Sequence, residues 1–192
     1  MLAPPLTIFL QAALYFPDII GKTLDKGAPA HTTHLCQGKI SVISMLSTKI
    51  SEVSRTSTPL FQFLRLGHLQ VQTASLVNPT NEVFLSNPNY RFVQINLQEN
   101  LLKSLLVSMF LSSLRRTVPA NLQPTYIVSS QNMEYVRDNL GMVNKHIGYV
   151  YLLDEHLKVR WAACGDAKLE EADALRTSVG VLLNRLEKTA KS

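Results

Sequence analysis

Apolar residues in this chain fall into short runs separated by polar turns, and the clearest pattern is a hairpin near the end. Residues 149–153 and 157–163 are rich in β-branched and aromatic side chains, which favour strands. Between them lies Asp-Glu-His at 154–156, a composition that suits a tight reversal. The pattern predicts two antiparallel strands, Tyr149 to Leu153 and Leu157 to Ala163.

Strand and helix patterns alternate along the rest of the chain. The other predicted strands are Lys39 to Leu46, Arg91 to Asn96 and Thr125 to Ser129. The first predicted helix begins at Ser47, with apolar contacts from Leu60 to Leu66. The second covers Glu99 to Thr117 and ends before Pro119, and the third covers Asn132 to Leu140 and ends before Gly141. The last helix follows Asp166, its expected N-cap. Gly21 to Gly38 is predicted to be an irregular loop, and Gln70 to Asn89, with its two prolines, a long surface connection.

The helix predicted from Glu99 to Thr117 has an unusually wide apolar face. Leu102, Leu106, Met109, Phe110 and Leu114 form one stripe, and Leu101, Leu105 and Leu111 extend it. Such a helix is either covered on two sides or presents a patch to a hydrophobic client. Lys103 and several serines interrupt the run, which is shorter than the roughly 20 residues of a membrane span, so no transmembrane helix is predicted.

The order of these elements predicts an α/β fold. Parallel strands need helical crossovers, and the late hairpin adds an antiparallel edge, so we expect a central mixed sheet with flanking helices and a C-terminal β-hairpin plus helix. This order matches the peroxiredoxin-like variant of the thioredoxin-like fold. We expect one such domain over residues 15–192, preceded by an N-terminal tail at 1–14 that is truncated.

The two cysteines are poorly placed for the chemistry of that fold. A redox member needs a low-pKa thiolate at the helix that follows the first strand, where this chain has MLSTKISEVS. Cys36 precedes that strand and Cys164 follows the hairpin, so we expect two free thiols. Where active members often carry a cis proline, this chain has Ile147-Gly148, for which we expect a trans bond. These features predict a protein that is not an enzyme and needs no cofactor.

Metal and nucleic-acid sites are also not expected. His31, His34 and Cys36 in HTTHLC resemble zinc ligands, but their spacing matches no established finger and no fourth ligand is evident. The net charge is +5, yet Lys and Arg are spread along the chain without interleaved aromatic residues. Binding to an anionic lipid surface through these basic residues stays an alternative.

Strand alternation also predicts environments for the hairpin side chains. Val159, Trp161 and Ala163 share one face of the second strand, and Trp161 is predicted to be core. Arg160 on the other face either pairs with a carboxylate or faces a partner. Asp154 and Glu155 are predicted to form a solvated turn rather than an acid/base pair.

Together, GYVYLLD at 148–154 and KVRWAACG at 158–165 resemble the mitochondrial ATP synthase assembly factor ten family. Other similarities follow in the same order: Tyr15-Phe16-Pro17, Gly21, Leu24, Gly38-Lys39, Asn96, Glu99, Arg115, Pro119, Arg137, Gly141 and Asn144. The similarity extends from about residue 15 to residue 186.

The resemblance implies a non-catalytic protein on the matrix side of the mitochondrial inner membrane. Its expected partners are subunit a (subunit 6) of ATP synthase and the c-ring, with a peripheral contact to the membrane. A thiol oxidoreductase or peroxidase on the same fold is the alternative. The candidate partner-binding residues are Phe16, Pro17, Asn144, Gly148, Tyr149, Tyr151, Asp154, Arg160 and Trp161. No Lys or Arg precedes Lys22, so the start is a poor targeting sequence and we expect Met1 to be an internal start.

Overall fold

A computed structural model describes residues 14–47, 73–97, 104–144 and 147–190. Its strands are β1 (Ile20–Thr23), β2 (Pro29–His31), β3 (Ile40–Ser47), β4 (Tyr90–Leu97), β5 (Tyr126–Ser129), β6 (Tyr149–Leu153) and β7 (Val159–Cys164). Its helices are α1 (Thr32–Cys36), α2 (73–84), α3 (Ser104–Thr117), α4 (Glu134–Arg137) and α5 (Leu169–Thr189), with a 3-10 turn at Gln123–Thr125.

All seven described strands form one mixed sheet in the order β2-β1-β5-β4-β3-β6-β7. The three central strands β5, β4 and β3 are parallel, whereas β6 and β7 close one side and β1 and β2 the other in antiparallel pairs. Two sheet pairings, Ile43 with Val93 and Ile43 with Tyr151, align the three strands around β3. The predicted central mixed sheet, parallel crossovers and antiparallel C-terminal hairpin are confirmed.

Both faces of the central strands are buried, because apolar residues occupy odd and even positions alike. Ile43 and Met45 of β3 point into one cluster, together with Tyr149 and Tyr151 of β6. The even-numbered residues of these strands point to the other face of the sheet, into a second cluster that includes Val42, Phe92, Val150 and Leu152. A two-sided core of this kind requires helices on both faces of the sheet.

The long helix α5 covers the second cluster with a stripe at helical spacing. Its buried residues are Ala172, Leu175, Val179, Leu182 and Leu183, and α2 adds Leu76 and Val77 beside them. The first cluster is covered by α1, by the segment around Phe16 and Ile19, and by Met133 and Leu140 at the two ends of the α4 region. Glu170 and Glu171 lie in the first turn of α5, as predicted, where the helix dipole favours acidic groups.

Three local predictions are wrong. Residues 21–38 are not an irregular loop, since β1, β2 and α1 lie there and pairing of β1 with β5 stabilises the short strands. Residues 73–84 form α2 despite Pro79, because buried Leu76, Val77 and Thr80 hold one face of the helix against the sheet. The N-cap of α5 is Lys168 rather than Asp166, and the Glu171 carboxylate accepts its backbone N–H at 3.1 Å.

Several predicted elements fall outside the described residues. The predicted start of the first helix at Ser47 is also wrong, because Ser47 is the last residue of β3. The rest of that predicted helix and the apolar residues 60–66 belong to the undescribed group, as does the stripe residue Leu102. For the wide apolar helix, the structure describes the backbone from Ser104 and places Leu114 in the core. Whether the rest of its face is covered stays a prediction.

Gly21 lies where the N-terminal strands meet β5, and it allows a close approach of two backbones. A Cβ at this position would lie 2.5 Å from both Ile127 Cγ2 and the Val128 carbonyl oxygen. We predict that Gly21→Ala lowers the free energy of unfolding by about 1–3 kcal/mol, because the backbone oxygen cannot move aside without breaking the β1–β5 pairing. Chemical denaturation of both proteins measures the difference.

Gly180→Ala in α5 is the matched control, since a Cβ at Gly180 would lie 3.5 Å from the Phe84 ring, an ordinary van der Waals contact. It should raise the free energy of unfolding by roughly 0.5–1 kcal/mol, because alanine is the better helix former. Equal effects of the two substitutions would contradict the close approach at Gly21.

Candidate functional site

The tip of the hairpin is organised by one buried carboxylate, that of Asp154. Its Oδ1 accepts the backbone N–H groups of His156 and Lys158, both at 2.9 Å. Its Oδ2 accepts Nε and Nη2 of Arg160 at 2.8 and 2.5 Å. Asp154 is fully buried and Arg160 nearly so. The expected solvated turn is therefore wrong for Asp154, because four donors replace water around the carboxylate.

A β-bulge places Arg160 in this arrangement. Leu153 pairs with Val159 and Leu152 pairs with Trp161, which leaves Arg160 as the extra residue of β7. Val159 consequently joins the cluster that contains Leu153, whereas Trp161 joins the cluster on the opposite face. The prediction that Val159 and Trp161 share a face is wrong, since strict alternation does not continue through a bulge.

Of the two alternatives for Arg160, the carboxylate partner is confirmed. Its guanidinium lies inside the hairpin and is not offered to a partner in this conformation. Trp161 is 3% exposed and packs among core residues, as predicted. A direct contact of either side chain with another protein stays untested.

Four of the candidate residues lie together at the start of β6. The rings of Phe16 and Tyr151 are 5.5 Å apart, and those of Tyr149 and Tyr151 are stacked at 6.4 Å. The Tyr149 hydroxyl donates to the Asn144 carbonyl at 3.0 Å and accepts the Asn144 N–H at 2.9 Å. Tyr151 donates its hydroxyl to the Leu140 carbonyl at 2.9 Å. This aromatic group attaches the segment after α4 to the sheet.

The remaining two candidate residues have backbone roles. The Pro17 carbonyl accepts a bond from the Thr32 hydroxyl at 3.2 Å, next to the Asp18 carboxylate that receives the Thr33 N–H. The Gly148 carbonyl accepts the Gly165 N–H at 3.0 Å and joins the ends of β6 and β7. Among the described peptide bonds none is cis, so the Ile147–Gly148 bond is trans.

The two thiols are free and lie in different environments. Burial raises the pKa of Cys36 to about 11, despite a weak bond to Ser41. Burial also raises the pKa of the more exposed Cys164, and the nearby Glu171 carboxylate adds to the effect. A reactive catalytic thiol needs the opposite shift.

His31 and His34 have neighbours other than a metal. His31 Nδ1 lies 2.7 Å from the Asp18 carboxylate, and the two imidazole rings are 5.1 Å apart. Burial raises the pKa of Asp18, but hydrogen bonds from His31 and Thr33 outweigh it and the net direction is downward. Within the described ranges, no group of three His, Cys, Asp or Glu side chains is arranged to hold a metal ion.

Three exposed apolar side chains lie in segments that precede β6 or follow β7 along the chain. Tyr135 on α4 is 90% exposed, Val143 is 83% exposed, and Leu169 at the start of α5 is 87% exposed. Sequence pattern does not predict their exposure, since Val143 lies outside every predicted element and Leu169 precedes the buried stripe of its helix. The end of the sheet at which parallel strands finish is a common location for binding sites in α/β proteins.

The described part of the chain contains no helix that is long and apolar enough to cross a bilayer.

A model of the protein family described as "ATP10 protein" matches residues 1–182 of this chain. The chain belongs to the ATP10 family. The mitochondrial ATPase complex subunit ATP10 of Saccharomyces cerevisiae is 33% identical over 165 residues, which are 85% of this chain and 57% of the yeast protein. Its counterpart in Candida glabrata is 30% identical over 88% of this chain and 57% of its own length. The chain thus spans a little over half of these ATP10 proteins.

Solved structures share the thioredoxin-like fold of this chain. The thioredoxin domain of a thiol-disulfide oxidoreductase from Bacteroides vulgatus aligns with a TM-score of 0.53 at 11% identity, covering 87% of this chain and 96% of that one. BsSco, a member of the Sco family of cytochrome c oxidase assembly proteins, aligns with a TM-score of 0.54 at 13% identity over 89% and 94% of the two chains. Such identities support the fold alone, and the predicted thioredoxin-like, peroxiredoxin-like class is confirmed.

Removing the Arg160 side chain tests the buried pair. Arg160→Ala leaves the Asp154 carboxylate without its cation inside the hairpin, and we predict a loss of about 3–5 kcal/mol in the free energy of unfolding. The loss should shrink in the double variant Asp154→Asn/Arg160→Met, which removes the uncompensated charge. Chemical denaturation measures both.

Arg176→Ala provides the comparison, because Arg176 pairs with Asp173 at 2.9 Å on an exposed surface of α5. Its effect should stay below about 1 kcal/mol. A small loss in Arg160→Ala, similar to that of Arg176→Ala, would refute the structural importance of the buried pair.

Thiol labelling tests the placement of the cysteines. We predict that a maleimide at pH 8 modifies Cys164 first and Cys36 only after denaturation, since Cys36 is fully buried. The pKa of Cys36 near 11, against an ordinary 9.0, lowers its thiolate fraction at pH 8 roughly a hundredfold. Mass spectrometry of Cys164→Ser and Cys36→Ser variants assigns each thiol, and fast labelling of native Cys36 would contradict the structure.

Proposed function

We propose that this chain is a non-catalytic assembly factor for the membrane sector of mitochondrial ATP synthase. In this proposal it works on the matrix side of the inner membrane and assists the incorporation of subunit a (subunit 6) with the c-ring. The observation that carries the proposal is the family match over residues 1–182, together with relatives that bear the name mitochondrial ATPase complex subunit.

The environments of the thiols favour a non-catalytic role. Cys36 is enclosed by the core and Cys164 sits at the end of an edge strand, and the pKa of each is raised. Thiolate chemistry on a thioredoxin-like fold needs a lowered pKa at an accessible position. The likeness to thiol-disulfide enzymes extends to the fold and brings no reactive thiol with it.

Exposed apolar side chains favour a hydrophobic client. Tyr135, Val143 and Leu169 are the most exposed large apolar residues of the described chain. Val143 precedes β6 and Leu169 follows β7, and the start of β6 pairs with the end of β7. An unassembled membrane subunit presents apolar surface, and contact with these side chains would remove both surfaces from water. We therefore assign the contact with subunit a to this end of the domain.

The test uses full-length protein in Saccharomyces cerevisiae mitochondria that lack the yeast relative, because the chain spans only part of such proteins. Newly made mitochondrial translation products are pulse-labelled and co-isolated with the tagged protein. We predict recovery of labelled subunit a, and a roughly tenfold loss for the triple variant Tyr135→Ser/Val143→Ser/Leu169→Ser, since exposed apolar anchors carry much of such interfaces.

Val83→Ser/Val181→Ser is the control, since these residues are 54% and 62% exposed on α2 and α5. It should retain the client. The role is refuted if no subunit a is recovered and the membrane sector assembles normally without the protein. Thiol turnover with peroxide that disappears in Cys36→Ser or Cys164→Ser would instead support the enzyme alternative.

A further inference from the structure

A cleft of about 240 Å³ lies between α2, the central sheet and the segment after α3. Its floor is formed by Ser44 of β3 with Phe92 and Gln94 of β4, and its wall includes Val77, Asn78 and Asn81 of α2. Its described lining includes no residue of the hairpin tip and neither cysteine. Nothing in the proposed assembly role uses it.

Ser44 is the unusual residue of this cleft. It lies in the middle of a central strand and is 1% exposed, yet its hydroxyl has no hydrogen-bond partner among the described residues, whereas Ser41 of the same strand has two. A buried hydroxyl without a partner lowers the free energy of unfolding, whereas an apolar side chain of similar size would not. Because Ser44 lines the cleft, a bound molecule can supply the missing bond.

Polar residues here divide one face of the sheet into two apolar clusters. Ser44 pairs in register with Gln94, while Val42 before it and Leu46 after it belong to separate clusters. The Asn81 Oδ1 already accepts the Tyr90 hydroxyl at 2.7 Å, so its amide nitrogen is the group directed to further acceptors. The cleft therefore offers a hydroxyl and amides beside the apolar surfaces of Phe92 and Val77.

The lining also limits the charge and size of the occupant. Among the described residues, no Lys, Arg, Asp, Glu or His side chain lines the cleft, so an ion would lose its hydration without gaining a counter-charge from them. The volume is slightly below the range of about 300–1,000 Å³ typical of sites for drug-sized ligands. A planar neutral amide of about nine heavy atoms fits this volume. It has an apolar ring for Phe92 and Val77, and its amide group both donates and accepts hydrogen bonds.

We propose that this cleft is a binding site for a small uncharged molecule that carries an amide-like donor and acceptor, with the Ser44 hydroxyl as its anchor.

Benzamide is the probe, with benzoate as its charged analogue of the same shape and ethylbenzene as its apolar analogue. Each is titrated into the isotope-labelled 192-residue chain and followed by amide NMR shifts. We expect saturable millimolar binding of benzamide, with shifts centred on Ser44, Val77 and Gln94, and at least tenfold weaker binding of both analogues. Equal binding of benzoate or ethylbenzene would overturn the proposal, as would a benzamide-soaked crystal with only water in the cleft.

Two serine variants on one strand sharpen the test. Ser44→Ala should weaken benzamide binding about fivefold, the effect of one hydrogen bond, without lowering the thermal midpoint of the free protein. Ser41→Ala is the control, because Ser41 is equally buried on the other face of β3 and bonds to the Cys36 and Lys39 carbonyls. It should lower the thermal midpoint and leave benzamide binding unchanged; unchanged binding by Ser44→Ala would refute the anchor.

Discussion

The Asp154 carboxylate is the group on which the C-terminal edge of the sheet depends. It closes the turn through two backbone N–H groups and retains Arg160 inside the hairpin. The retained arginine is the bulged residue, and the bulge sets which face Trp161 covers. One buried charge thereby determines the register of β7 against β6 and the packing of α5 above it.

The fold resembles that of thiol-disulfide proteins, but polar groups of the described residues form hydrogen bonds that stabilise the structure. Tyr149 and Tyr151 use their hydroxyls to hold the chain between α4 and β6, and Asp18 holds the start of α1. Cys36 fills core volume between α1 and the sheet. The proposed assembly role therefore relies on surfaces rather than on a reacting group, and the exposed apolar end of the domain is the surface that fits it.

Sequence pattern predicted the elements whose stability is local or strongly periodic. Continuous apolar runs predict the strands β3, β4 and β6, and apolar residues at helical spacing predict the buried stripe of α5. Sequence pattern did not predict the elements that depend on tertiary contacts. The strands β1 and β2 depend on pairing with β5, and α2 tolerates Pro79 because its buried face packs against the sheet.

The candidate site divides in the same way. Burial of Trp161 and the carboxylate partner of Arg160 were among the expected outcomes, whereas the bulge that separates Val159 from Trp161 has no signature in residue type. The exposure of Tyr135, Val143 and Leu169 could not be predicted either, because the sequence pattern of an apolar residue in a short element or at a helix end is the same whether the side chain is buried or exposed.

The segment from Phe16 to Thr23, here called the N-terminal arm, has a consequence for the order of folding. Ile20 accepts a bond from Ser129, 109 residues later, and Phe16 donates to Leu157 still further along the chain. A chain that emerges from its amino terminus therefore presents the arm first and docks it last, after β5 and the hairpin exist. Until then the apolar side chains of Phe16 and Ile19 have no core to enter, so this stretch stays exposed to other chains while the rest of the domain is made.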